Sequence, residues 1–169
     1  MAIVDDTHLC LDTSALIAYL KGREPGAAAV ERAVKDYACR VTAITVYELL
    51  FGVARAQKQI GEEALLGVMD VAPFDEAAAR RAVNLHAELI GRNEDIGVKD
   101  VLIAAICLER ALPLLTLNER HFSRYLSTSL FVSRPAAAAT ATRAPAVSSP
   151  VPLPYYNESG GLNEFVSSP

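Results

Sequence analysis

Residues 8–20 read His8-Leu9-Cys10-Leu11-Asp12-Thr13-Ser14-Ala15-Leu16-Ile17-Ala18-Tyr19-Leu20. Their start is an apolar run of strand length ending at Asp12, and the remainder predicts a helix that stops at Gly22. The same alternation continues on the C-terminal side. Residues 25–36 are Ala-rich and helical, and Arg40-Val41-Thr42-Ala43-Ile44-Thr45 carries the β-branched residues of a strand, with a second helix over 46–59. A connecting helix at 62–66 leads to residues 68–74, an edge strand because Pro73 has no N–H for a central ladder. Asp75 predicts the N-cap of a helix ending near Gly91. On it Ala78, Ala82, Leu85 and Leu89 form one apolar row and Ala79, Val83, His86 and Ile90 the next, a broad stripe expected to pack on a sheet or on another helix. The run from Val101 to Arg110, opened by Asp100, is apolar nearly all round and predicts a buried helix, with Ala104 and Ala105 permitting close approach to a sheet. Residues 113–117 read as a strand, 119–126 as a short helix and 129–132 as a last strand. Short apolar strands alternating with helices give an α/β fold whose mostly parallel sheet is covered on both faces.

The chain of 169 residues has room for one domain, expected over residues 1–134. Beyond Arg134 the composition turns to Ala, Pro and Ser without pattern, and residues 135–169 are expected to be a disordered tail. A hydrophobic share of 51% with 21% charged residues is that of a soluble globular protein, no apolar run is long enough to span a bilayer, and the N-terminus lacks a secretory signal. The expected location is therefore the cytoplasm. Cys10, Cys39 and Cys107 stand singly in apolar runs, without ligand spacing, and read as buried reduced thiols. A net charge of −4 argues against a simple sequence-independent DNA binder. It does not argue against an enzyme that gathers carboxylates around divalent cations, since the bound metal supplies the positive charge a phosphate needs.

In a parallel sheet, ligands bind outside the carboxyl ends of the strands. Asp12 ends the first strand, Glu48 lies in the first turn of the helix after the second, Asp100 stands at the start of the buried helix, and Asn118 follows the 113–117 strand. Three carboxylates brought together repel one another unless a cation joins them, and an all-oxygen set suits Mg²⁺ or Mn²⁺. Such a centre performs phosphodiester hydrolysis. Each residue also has a structural role open to it. Asp12, Asp100 and Asn118 are good N-caps, Thr45 and Glu48 have the spacing of a capping box, and so do Thr116 and Glu119. Capping alone does not account for all of them falling at one edge. His8, His86 and His121 lack partner spacing, and no Ser-His-Asp set, Cys-His set or glycine-rich phosphate loop competes. Cations such as Lys21, Arg55, Lys99 and Arg120 are available to meet phosphates, and none is singled out.

The stretch from Leu11 to Ile17 resembles the opening motif of PIN domains, and Thr45-Val46-Tyr47-Glu48-Leu49-Leu50-Phe51-Gly52 is similar to their second. Ile96-Gly97-Val98-Lys99-Asp100-Val101-Leu102-Ile103-Ala104-Ala105 resembles the third, and Leu115-Thr116-Leu117-Asn118-Glu119-Arg120-His121-Phe122 the fourth. The resemblance covers residues 8 to about 133, and its last two motifs are close to VapC toxins of toxin-antitoxin pairs. It implies a three-layer α/β/α fold, Mg²⁺- or Mn²⁺-dependent endoribonuclease activity on RNA, a homodimer and inhibition by a cognate antitoxin. By motif position it makes Asp12, Glu48 and Asp100 the metal-binding acids, preferred over Glu94 and Asp95 in the preceding polar loop. Many PIN domains have a fourth acid where this chain has Asn118, which weakens a second metal site and leaves Asn118 to orient water or metal, with Thr116 in support. The same departure motivates an alternative, a non-catalytic PIN module that binds RNA or a protein partner. A small-molecule phosphatase is a further alternative, disfavoured by the missing Asp-x-Asp nucleophile motif.

Overall fold

The structure is a computed structural model, and it describes residues 8–122 and 131–132. The domain boundary at 134, the 135–169 tail and the parts of the last helix and strand at 123–130 lie outside the described residues. In chain order the elements are β1 (His8–Leu11), α1 (Thr13–Leu20), α2 (Gly26–Asp36), β2 (Ala38–Thr42), α3 (Ala43–Ala56) and α4 (Glu62–Leu66). They continue as β3 (Asp70–Ala72), α5 (Glu76–Gly91), α6 (Val98–Glu109), β4 (Leu114–Leu115), α7 (Glu119–Phe122) and β5 (Phe131–Val132). The strands form one sheet in the order β3-β2-β1-β4-β5, every pairing parallel.

Strand β1 is central and buried on both faces, so its alternation divides the core in two. Leu9 and Leu11 pack with Ala15 and Leu16 of α1, Val30 of α2 and Leu49 of α3. Cys10 points the other way, into a cluster with Ala78, Ala82, Leu85 and Leu89 of α5, Val101, Ile103, Ala104 and Ile106 of α6, and Phe122. Three layers, α/β/α, follow directly. Each fully buried aliphatic side chain contributes about 1.5–3 kcal/mol relative to exposure. Cys10 and Cys107 are buried and Cys39 half-buried, all free, and burial pushes the Cys39 thiol up to about 11.

Three local expectations change. Strand β2 ends at Thr42, because Thr42 Oγ1 accepts from the Thr45 backbone N–H at 3.0 Å and caps α3 three residues earlier than its β-branched composition predicts. Thr45 therefore lies inside the helix, the Thr45–Glu48 capping box does not form, and Glu48 sits one turn deeper than expected. Helix α6 begins at Val98 after Gly97 (φ +91°), which puts Asp100 in its first turn rather than at its cap. On α5 the first apolar row is buried, but Val83 and Ile90 of the second are 60% and 61% exposed.

Helix α2 approaches α1 so closely that a Cβ added to Gly26 would lie 2.6 Å from the Ala18 Cβ and 2.7 Å from the Leu117 Cδ1. Ala18 is backbone-anchored and cannot turn aside. Gly26→Ala is thus expected to destabilise the fold by about 1–3 kcal/mol, read as a lower urea midpoint at unchanged slope. An unchanged midpoint would show that the α1–α2 contact yields freely.

Candidate functional site

The carboxyl ends of β1 and β4, adjacent in the sheet, put Asp12 beside Thr116, and the Asp12 N–H donates to the Leu115 carbonyl at 2.9 Å. Asp12 is 4% exposed, and its Oδ2 accepts from Ser14 Oγ at 2.6 Å, from Thr116 Oγ1 at 2.7 Å and from the Ser14 N–H at 3.4 Å. Both hydroxyls are held from behind, since Ser14 Oγ accepts from the Leu117 N–H and Thr116 Oγ1 from the Asn118 N–H, each at 3.0 Å. Burial raises the Asp12 pKa against the opposing pull of the Ser14 and Thr116 hydroxyls, with the charge of Asp100 adding to the rise.

Asp100 is clasped in the same way, again through one oxygen. Its Oδ2 receives Asn118 Nδ2 at 3.2 Å and lies 2.6 Å from His121 Nδ1. Nδ1 cannot both donate to this carboxylate and accept from Asn118 Nδ2, 2.9 Å away. The shorter contact is met by Nδ1–H donating to Asp100, so Asn118 also donates to the carboxylate. Glu48 completes the edge: Thr13 Oγ1 donates to its Oε2 at 2.6 Å, and the Lys99 ammonium lies 2.5 Å from its Oε1. Glu48, Lys99 and Asp100 line one open depression with residues 96–98.

Every residue singled out at this edge from sequence is here. Asp12 is bonded to Thr116, Asp100 to Asn118, and Glu48 is joined through Lys99 to the helix that carries Asp100. Glu48 does no capping, and Asp12 keeps the cap of α1 as well. Thr116 Oγ1 is engaged by Asp12 and the Asn118 N–H. Asp95 is turned away, its Oδ1 accepting from the Gly97 N–H at 3.0 Å and facing His86 Nε2 at 3.4 Å. Two participants were not foreseen, Ser14 and His121. Ser14 stands next to Asp12 as an ordinary first-turn serine. His121 carried one usable signal: it is three residues after Asn118, the spacing that puts two side chains on one face of a helical turn.

Among the described residues, no three His, Cys, Asp or Glu side chains already surround a common ion position. The donor chemistry nonetheless fits a hard cation. Among the described residues, the hydrogen bonds to Asp12 and Asp100 all fall on Oδ2, which leaves Oδ1 of each uncommitted. Mg²⁺ keeps several waters and needs only one or two carboxylates.

A PIN domain family model matches residues 9–125. Ribonuclease VapC10 of Mycobacterium tuberculosis is 31% identical over 117 residues, covering 69% of this chain and 87% of that protein. Among solved structures, VapBC-5 of the same organism, from the VapBC family of toxin-antitoxin systems, aligns at 28% identity with a TM-score of 0.56, over 75% of this chain and 96% of that one. VapBC2 of Rickettsia felis, bound to a DNA fragment from its promoter, aligns with a TM-score of 0.61 at 22% identity, over 69% and 92%, and shares the fold.

Proposed function

The chain belongs to the PIN domain family, and from that premise we propose that it is a divalent-metal-dependent endoribonuclease, the toxin of a toxin-antitoxin pair. The observation that carries this reading is the paired clasp. Among the described residues, Asp12 and Asp100 each have one oxygen fixed by protein donors and the other uncommitted, at the edge where a parallel sheet presents its ligands. The ribonuclease name of the similar VapC10 and the toxin-antitoxin setting of the similar VapBC-5 support it. The nuclease unit is taken as residues 1–134, with residues 135–169 as a tail beyond it.

Asp12, Asp100 and Glu48 would hold Mg²⁺ or Mn²⁺. When bound, the ion supplies positive charge to the scissile phosphate and acidity to the attacking water. The chain's own part is placement. Ser14 and Thr116 fix the Asp12 carboxylate, Asn118 and His121 fix that of Asp100, and Thr13 fixes Glu48. Such supporting hydrogen bonds set the orientation and basicity of the ligands. Asn118, neutral where a fourth acid would add charge, favours one tightly held ion over two. The partners are an RNA substrate, a cognate antitoxin that blocks the edge, and a second copy of the chain, and the protein acts in the cytoplasm. Among the described residues, no helix is long and apolar enough to cross a membrane.

The decisive experiment incubates the purified full chain with structured RNA and Mg²⁺ or Mn²⁺. Internal cleavage is expected with either ion and loss of cleavage on chelation, restored by adding metal back. A well-folded protein that binds Mn²⁺ yet leaves every RNA tested intact would overturn the enzymatic reading and leave a binding module.

A further inference from the structure

Lys99 is the one cation among the described residues that line the depression, and its placement is built rather than incidental. The Gly97 turn, closed by Asp95, starts α6 so that Lys99 occupies its second position, one residue before Asp100. Its Nζ lies 2.5 Å from Glu48 Oε1, while Thr13 holds Oε2 of the same carboxylate. Both Glu48 oxygens are thus engaged, one by a full positive charge. The Glu48 side chain is 15% exposed, but that of Lys99 is 60% exposed, so solvent screens the lysine end of the pair and limits its value as a stability device. An ammonium has three donors, and its exposure leaves donors free to face whatever enters the depression.

We propose that Lys99 is a phosphate-binding residue of the site: held by Glu48, its ammonium stands on that side of the edge as a resident monovalent cation and contacts a non-bridging oxygen of the RNA backbone. This rests on the nuclease reading above and sharpens it. Asp12, Asp100 and Glu48 hold one divalent ion, and beside Glu48 the chain supplies a second positive charge of its own in Lys99. Neutral Asn118 agrees with that division, since a centre with one divalent ion and one ammonium needs fewer carboxylates than a two-metal centre. A lysine at this position acts as a point charge, indifferent to base identity.

The test uses full-length wild type, Lys99→Met and Lys99→Arg, with a fluorescently labelled single-stranded RNA in chelator and, separately, Mn²⁺ calorimetry without RNA. Lys99→Met is expected to weaken RNA binding on the order of tenfold, equally for RNAs of different sequence. The slope of log affinity against log salt should become shallower by about 0.7, the signature of one single-strand phosphate contact. Lys99→Arg should keep the wild-type slope. Mn²⁺ affinity should rise several-fold in Lys99→Met, because a positive charge beside the carboxylates is gone. Unchanged RNA affinity and slope in Lys99→Met overturn the assignment, and tighter Mn²⁺ with unchanged RNA binding overturns it equally, making Lys99 a gate on the metal alone. A wild type that binds and cuts RNA while Lys99→Met matches it removes only Lys99. A wild type that does neither removes the nuclease reading, and this assignment with it.

Discussion

Asp12→Asn is expected to lower RNA cleavage by about 10³-fold or more, while the metal-free variant melts at a higher temperature than the metal-free wild type at neutral pH. The two effects have one cause. Asp12 is enclosed where the sheet meets α1, and burial raises its pKa despite the donors from Ser14 and Thr116. A carboxyl whose folded pKa lies above its unfolded value binds its proton more tightly when folded. Stability is therefore lost as pH rises through the window between those values. Asparagine keeps an oxygen for the Ser14 N–H, fills the same space and carries no charge to desolvate. The stability gap should close as pH falls into the ordinary aspartate range, where both proteins are neutral at position 12. Asp75 and Asp95, whose pKa values are lowered chiefly by backbone N–H bonds, lose their contribution in that range equally in both proteins and cancel in the difference. Mn²⁺ should raise the melting temperature of the wild type and not of the variant, since only an ion bound to the folded state stabilises it. Thermal melts at several pH values, with and without metal, check all of this. A variant less stable than wild type at pH 7 would show that the hydrogen bonds outweigh the desolvation, and undiminished cleavage would remove Asp12 from the centre.

What could be read from the residues alone was local. The β1–Asp12–α1 unit is visible because strand, cap and helix are contiguous and each uses its own neighbours. Composition puts the end of β2 three residues too late because Thr42 and Thr45 are both β-branched and both able to cap. The choice between them is made by pairing, which ends with Thr42 opposite Ala72 and frees its hydroxyl to close the helix. The second apolar row of α5 reads as part of a packed stripe because periodicity reports a face and not how wide the covering layer is. Ala78, Ala82, Leu85 and Leu89 meet α6 and the sheet, while Val83 and Ile90 do not. The acids were legible because the carboxyl edge is a property of the topology. Their clasps were not: the donor to Asp12 comes from 104 residues away in Thr116, and that to Asp100 from 21 away in His121. Only the side-by-side placement of β1 and β4, and Phe122 anchoring α7 against α6, brings those groups into reach.

His121 offers the sharpest way to separate what a ligand does from what its support does. Asp100→Asn is expected to abolish cleavage, again by about 10³-fold or more, and to weaken Mn²⁺ binding severely, because a neutral amide is a poor ligand for a hard cation. Removing the imidazole instead leaves the Asp100 charge in place but frees its carboxylate to rotate. His121→Ala should therefore cost about 10- to 100-fold in activity or metal affinity, the usual effect of losing a group that orients a ligand. Asn118 still donates to the same oxygen, so the position is loosened and not lost. His121→Gln, which can return an N–H donor toward Asp100, should recover part of the deficit, whereas His121→Phe, of similar size and without a donor, should not. The His121 side chain is 39% exposed, so none of these changes should shift the melting temperature much. Combining Asp100→Asn with His121→Ala adds the final discrimination. If the imidazole acts through Asp100, the double variant should be no worse than Asp100→Asn, because residues working as one unit are non-additive. A further loss in the double variant would mean that His121 meets the RNA itself.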